Sequence, residues 1–171
     1  MNLRQLIVLT IRAFGGQIRS KMYIHKLMYF ITNLLKIKDI DFEQTYFGPY
    51  SDKVDLALGE LIGSGFVSVI RYIGDEDKDY RCTFILENSG TRLANSVKKS
   101  HPKEFNKIAE FKEKIANIPM MTMALAAKTH FSLTSHKQSI TESTIQNKIK
   151  SFDQVVTEED VNNVIKILKE V

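Results

Sequence analysis

A chain of 171 residues, 43% hydrophobic and 26% charged, holds enough apolar material for one core, and its single cysteine, Cys82, excludes a disulfide framework or a cysteine metal cluster within one chain. The net charge of +4 is unevenly spread: residues 1–38 carry +7 with no acid, residues 39–79 carry −7, residues 98–150 carry +6 and residues 151–171 carry −3. A polyanion is drawn to the two basic segments and repelled by the acidic ones. The apolar run between Arg4 and Arg12 is too short to span a membrane, and no small-residue cleavage site follows it, so the expected location is cytoplasmic.

In chain order, Leu3–Phe14 sets Leu3, Leu6, Ile7 and Ile11 near one helical face, and Gly15-Gly16 stops it. Gln17–Arg19 reads as a short extended connection. Ser20 stands where it would cap a helix reaching about Lys36, on which Ile24, Leu27, Met28, Ile31, Leu34 and Leu35 keep the helical period. Residues 37–50 turn irregular or extended. Gly48-Pro49 is a turn signal, and Pro49 biases Gly48 away from helix. Ser51 is a good N-cap, and Asp52 suits the positive end of a helix dipole. A third helix follows with Val54, Leu58, Leu61 and Ile62 on one face, ended by Gly63 and Gly65. Phe66–Ile73 and Tyr80–Leu86 read as the strands of a hairpin around the polar turn 74–79. A helix begins near Asn88 or Ser89. After the break at His101-Pro102, a helix carries Phe105, Ile108, Phe111 and Ile115. Pro119 opens an apolar helix through Ala127, and Thr134–Phe152 is polar. Thr157-Glu158-Glu159-Asp160 opens a last amphipathic helix with Val161, Val164, Ile165 and Leu168.

Helix, short strand, helix, helix, hairpin is the order of a winged helix, in which the hairpin covers one open side of a three-helix core. The expected fold class is α+β, mainly helical: a winged helix-turn-helix over residues 1–97, with a helical extension over residues 98–171 that packs on it or mediates oligomerisation. Lys26-Leu27-Met28-Tyr29-Phe30, followed by Phe47-Gly48-Pro49-Tyr50-Ser51, resembles the YwgA-like proteins of bacteria and archaea. It is similar, more distantly, to the Panacea (SocA-like) antitoxin domain. Leu86-Glu87-Asn88-Ser89-Gly90-Thr91-Arg92-Leu93-Ala94 also resembles the L-T-x-x-G-x-x-L-A passage that leaves many winged-helix hairpins. Glu87 stands where threonine is usual, which moves the expected cap to Asn88 or Ser89. The resemblance covers residues 1–97. It implies toxin neutralisation on the Panacea side and DNA binding for winged helices at large, and a shared fold does not choose between them.

A winged helix that reads DNA sets its third helix in the major groove and its wing near the minor groove, so both approach phosphates. Here the third helix carries Asp52, Asp55 and Glu60 against Lys53, and the wing carries Asp75, Glu76, Asp77 and Asp79 against Lys78. That docking is repelled. The partner-binding candidates are therefore Tyr46, Tyr50, Asp52, Asp55, Asp75, Glu76 and Asp77, suited to a basic protein partner such as a toxin. The nucleic-acid candidates are basic faces elsewhere, Arg19, Lys21 and Lys26 or Lys103, Lys107 and Lys112; the plain alternative is solvated helix faces. Phe47 and Tyr50 are expected to fill the seam between the second and third helices, and a half-exposed Tyr46 or Tyr50 would anchor a partner.

Asp75, Asp77 and Asp79 have D-x-D-x-D spacing, but Tyr80 and Leu86 stand where an EF-hand loop needs Gly and Glu, so a solvated acidic turn is expected. His25, His101, His130 and His136 form no zinc spacing and read as ordinary surface or edge residues; Cys82 reads as a small core hydrophobe. No phosphate loop, nucleophile elbow or other catalytic constellation stands out, and no metal or cofactor is expected. Met120, Met121 and Met123 with Leu125 suit a core helix or an oligomer interface, and the last helix suits the domain or a second copy in a homodimer. No membrane partner is expected. The expected function is a non-catalytic, antitoxin-like regulator acting through protein–protein contact. The alternative is a DNA-binding transcriptional regulator using a basic surface outside the acidic third helix and wing.

Overall fold

The computed structural model describes residues 1–71, 82–152 and 154–170. Its elements run α1 (Leu3–Ala13), β1 (Gln17–Arg19), α2 (Lys21–Leu34), β2 (Glu43–Thr45), β3 (Gly48–Tyr50), α3 (Asp52–Gly63), β4 (Val67–Arg71), β5 (Cys82–Leu86), α4 (Asn88–Ser100), α5 (Pro102–Lys114), α6 (Met120–Ser135), α7 (Glu142–Lys150) and α8 (Glu158–Leu168). The fold is α+β and mainly helical, with small antiparallel sheets.

α1 begins on a reciprocal cap. The Asn2 side chain accepts from the Gln5 backbone N–H, and the Gln5 side chain accepts from the Asn2 N–H. Every residue from Leu6 to Ile11 is buried. A helix that is apolar on most sides must be covered on most sides, and α3, α4, α5 and β5 all pack on it.

β1 pairs with β5, and β5 pairs with β4, giving the antiparallel order β1-β5-β4. Ile18, Val67, Phe84 and Leu86 send their side chains to the core from this sheet. Ser20 does not cap α2 as expected. Its backbone is held at φ 70° and its N–H is donated to the Cys82 carbonyl at 2.7 Å, while its hydroxyl makes no cap bond. Pairing with β5 dictates the chain's path here, and that path aims the hydroxyl away from the helix N–H groups. Ser51 behaves as expected, accepting from the Val54 N–H at the start of α3.

α4 starts one residue earlier than a cap at Asn88 or Ser89 allows. Glu87 occupies the cap position, and Ser89 instead donates its hydroxyl to the Gly65 carbonyl at 2.7 Å. Gly90 is there for space: a Cβ on it would meet the Phe66 carbonyl oxygen at 2.0 Å. α4 therefore lies directly on the backbone that enters β4.

α6 runs past the expected Ala127 to Ser135, and residues 122–127, Thr129, His130 and Leu133 are buried along it. It packs on α2, β3, α7 and α8. Thr122 donates to Asp160, which also takes part in the capping box of α8, so one carboxylate both starts α8 and ties it to α6. Segment 98–171 is thus packed on the first part of the chain at two places, α5 on α1 and α6 on α2 and β3. No helix among the described residues is long and apolar enough to cross a membrane.

Candidate interaction site around the Tyr46-Phe47 turn

Residues 43–50 form a two-stranded hairpin, with Thr45 opposite Gly48 and Glu43 opposite Tyr50. The tip is Tyr46-Phe47. Gly48 and Pro49 are buried, whereas Tyr46 is 72% and Phe47 39% exposed. The expected seam filler Phe47 therefore faces solvent, and the Gly-Pro step takes its place. The reason is steric: Gly48 sits at φ 94° against α6, where a Cβ would lie 3.3 Å from the Ala124 carbonyl and from Lys128. Only a residue without a side chain lets the strand come so close. The Tyr46 and Phe47 rings meet edge to face at 5.0 Å.

Under this hairpin lies a buried polar row from α2. Lys26 is 2% exposed and donates its ammonium to the Pro49 carbonyl at 2.7 Å. Lys26 is a correction to the sequence reading, which put it on a solvent-facing basic surface; it is an internal strut and cannot reach a phosphate. Burial pulls its ammonium down from 10.5 to about 8. His25, one residue earlier, is 1% exposed, stacks on the Tyr50 ring at 4.1 Å and accepts on Nδ1 from the Ser51 N–H at 3.3 Å. Burial holds its imidazole down at about 4, against the pull of Asp55. One turn on, the Tyr29 phenol shares a 2.6 Å hydrogen bond with His130 Nδ1 of α6. Burial pushes Tyr29 up to about 12 and His130 down to about 4. His25 and His130 are thus core residues, not the surface or edge histidines expected from the sequence. Among the described residues, the Ser20 hydroxyl, His25 Nε2 and the Thr129 hydroxyl are buried without a hydrogen-bond partner.

Tyr50 is half-buried and reaches Asp55 of α3, which also pairs with Lys21 at 2.6 Å. Burial works to raise the Asp55 carboxyl, and the hydrogen bonds from Lys21 and Tyr50 outweigh it, leaving Asp55 below the ordinary carboxylate value. Burial and then Asp55 push the Tyr50 phenol up. Tyr50, Asp55, Lys21 and His25 thus form one cluster. Two other charges of α3 are matched in the same way: the acid Glu60 pairs with Arg4 at 2.9 Å, and the base Lys53 pairs with Asp41, outside the helix, at 2.7 Å. Asp52 is exposed in the first turn of α3.

The remaining candidates lie apart. Arg19 is exposed on β1. Lys103 and Lys107 are exposed one turn apart on α5, and Lys112 pairs with its neighbour Glu113 at 2.7 Å. Asp75, Glu76 and Asp77 lie outside the described residues, as does the D-x-D-x-D spacing. Among the described residues no three His, Cys, Asp or Glu side chains are placed to hold a metal ion.

Lys128, Lys148 and Phe152 escaped the sequence reading. The Lys128 ammonium lies 5.5 Å from the centroid of the Tyr46 ring and 4.4 Å from that of Phe152, and Lys148 lies 5.7 Å from the Phe152 centroid. Lys148 and Phe152 are only four positions apart, but no spacing signal links them to Lys128 or to Tyr46. No protein-family model matches the chain, and no curated protein sequence matches it.

Proposed function

We propose that residues 1–97 form a winged-helix module and that the chain is a non-catalytic, antitoxin-like regulator working through protein–protein contact. The order α1-β1-α2-β2-β3-α3-β4-β5, with the β2–β3 hairpin inserted between the second and third helices, and the β1-β5-β4 sheet support the module. The observation that carries the function is the solvent face of α3. Leu56, 68% exposed, stands at its centre, flanked by Asp52, Gly59, Glu60 and Gly63. Lys53 beside it is already bound to Asp41. A phosphate approaching this face meets the exposed Asp52, a Glu60 already bound to Arg4 and an apolar side chain, and phosphate attraction is what supplies most non-specific DNA affinity. An exposed leucine ringed by small and acidic residues suits a protein partner with a pocket and a basic rim.

The second reading, a DNA-binding transcriptional regulator, is favoured by one observation: Lys103 and Lys107 share an exposed face of α5. Titration of random duplex DNA at rising salt separates the two. Weak binding supports the protein-contact reading; low-micromolar binding with a steep salt slope, lost on Lys103→Glu and Lys107→Glu, refutes it.

A further inference from the structure

We infer that the surface where Tyr46, Lys128, Phe152 and Lys148 meet is a binding site for single-stranded nucleic acid. The inference stands independently of the role given to α3. Tyr46 is carried clear of the core by the β2–β3 turn, and the close seat of Gly48 on α6 fixes that turn beside Lys128. The Lys128 ammonium lies between two rings, Tyr46 of the hairpin and Phe152 just after α7. The Lys148 ammonium of α7 lies 5.7 Å from the Phe152 centroid. Ring, cation, ring, cation thus alternate over one surface, drawn from three segments of the chain.

Two properties identify the ligand. The first is uncompensated charge. Among the described residues neither Lys128 nor Lys148 has a carboxylate partner, whereas Arg4, Lys21, Lys53, Lys112, Lys114 and Lys169 each have one. Cations left open in this way attract phosphates. The second is the Tyr46 ring, 72% exposed and with its centroid 5.5 Å from the Lys128 ammonium. A base of any identity can stack on Tyr46, while Lys128 and Lys148, set along the surface by Phe152, take the phosphates of the same strand. A duplex hides its base faces, so it engages only the lysines. An acidic peptide also engages only the lysines and leaves the rings without planar partners. Glu43, the acid nearest Tyr46 along the hairpin, sits at its far end opposite Tyr50.

The chain has no tryptophan, so Tyr46→Trp places a single indole at the site. Titrating that variant with a twenty-nucleotide oligothymidylate is expected to quench indole emission saturably. Fluorescence anisotropy of the labelled oligonucleotide on the unsubstituted chain should report micromolar affinity that falls with salt. Tyr46→Ala and Lys128→Gln should each weaken it about tenfold, and Lys103→Glu on α5 should change it less than about twofold. Thermal unfolding of each variant verifies the fold, and the exposed Tyr46→Ala keeps the test valid if Lys128→Gln does not fold. No binding, affinity indifferent to both site variants, equal affinity for a duplex of the same length, or displacement by polyglutamate would each overturn the inference; the last would reassign the surface to acidic peptides.

Discussion

The ammonium of Lys26 donates to the Pro49 carbonyl at 2.7 Å, with both residues buried in the seam between α2 and β3. A lone buried ammonium is costly, and one neutral carbonyl returns only part of its lost hydration. Lys26→Met keeps the length and removes the charge, so its stability in urea should stay within about 1 kcal/mol of the parent. Lys26→Ala also leaves a void and should lose about 2–4 kcal/mol. A methionine variant as unstable as the alanine variant would mean that the bond to Pro49, not the packed stem, is what matters.

The same residue predicts an alkaline rise in stability. Its folded value of about 8 lies below the ordinary 10.5, so between those limits the unfolded chain holds more protons and stability grows with pH. Tyr23 and Tyr29 act oppositely, since burial raises each from 10.0 to about 12 and the unfolded chain ionises first. Stability should therefore climb by on the order of 2 kcal/mol from pH 8 to 10 and turn down above that. Lys26→Met should abolish the climb while leaving the decline; a climb that survives the substitution would assign it elsewhere.

His25 and His130 set the acid limb. Each is held neutral at about 4 by burial, against 6.5 for a free imidazole. As pH falls through that interval the unfolded chain takes up protons first, so the stability is complete above pH 6.5 and lost on the way to about 4. The loss should be on the order of 3 kcal/mol per ring. Imidazole resonances followed by NMR should show both rings still neutral at about pH 5.5; either one titrating near 6.5 would contradict its buried placement.

Two glycines make a graded pair. Gly90→Ala drives a methyl into the Phe66 carbonyl and should cost about 3 kcal/mol. Gly48→Ala combines a positive φ with 3.3 Å contacts on α6 and should cost about 1–3 kcal/mol. Denaturant midpoints with unchanged slopes are the measurement. If Gly90→Ala were neutral, the seat of α4 on β4 would be looser than described.

Leu56→Glu tests the protein-contact reading. The side chain is exposed, so the thermal midpoint should hardly move, by less than about 0.5 kcal/mol in stability. Partner binding should drop by at least about tenfold, because a charge replaces the apolar centre of the face. A partner retained at full affinity by a folded Leu56→Glu chain would remove α3 from the interface.

Much of the local structure was legible in the residues. The 3.6-residue spacing from Ile24 to Leu34 predicts α2, Ser51 predicts the start of α3, and the β-branched run after Phe66 predicts β4. The Gly48-Pro49 break predicts a turn at those residues, but they open β3 and the turn itself is Tyr46-Phe47 just before them. These are interactions among residues one to five positions apart, so the chain encodes them directly. The length of α6 was less legible, because Lys128 to Ser135 mixes polar and apolar residues and becomes helical where other elements cover its apolar positions.

The sequence by itself determined α1, α2, α3, α5 and α8, the caps at Ser51 and Thr157 and the acidic cast of α3. Tertiary structure alone decided what the charges and rings do. Lys26 looks like any surface lysine until Pro49, 23 residues away, closes over it. Lys21 and Arg4 look like open cations until Asp55 and Glu60 of α3 pair with them. Tyr46 and Phe152 become one surface only because α6 brings Lys128 between them. The physical reason is common to all three: burial, ion pairing and stacking depend on distance through space, and at these separations along the chain local spacing carries no record of it.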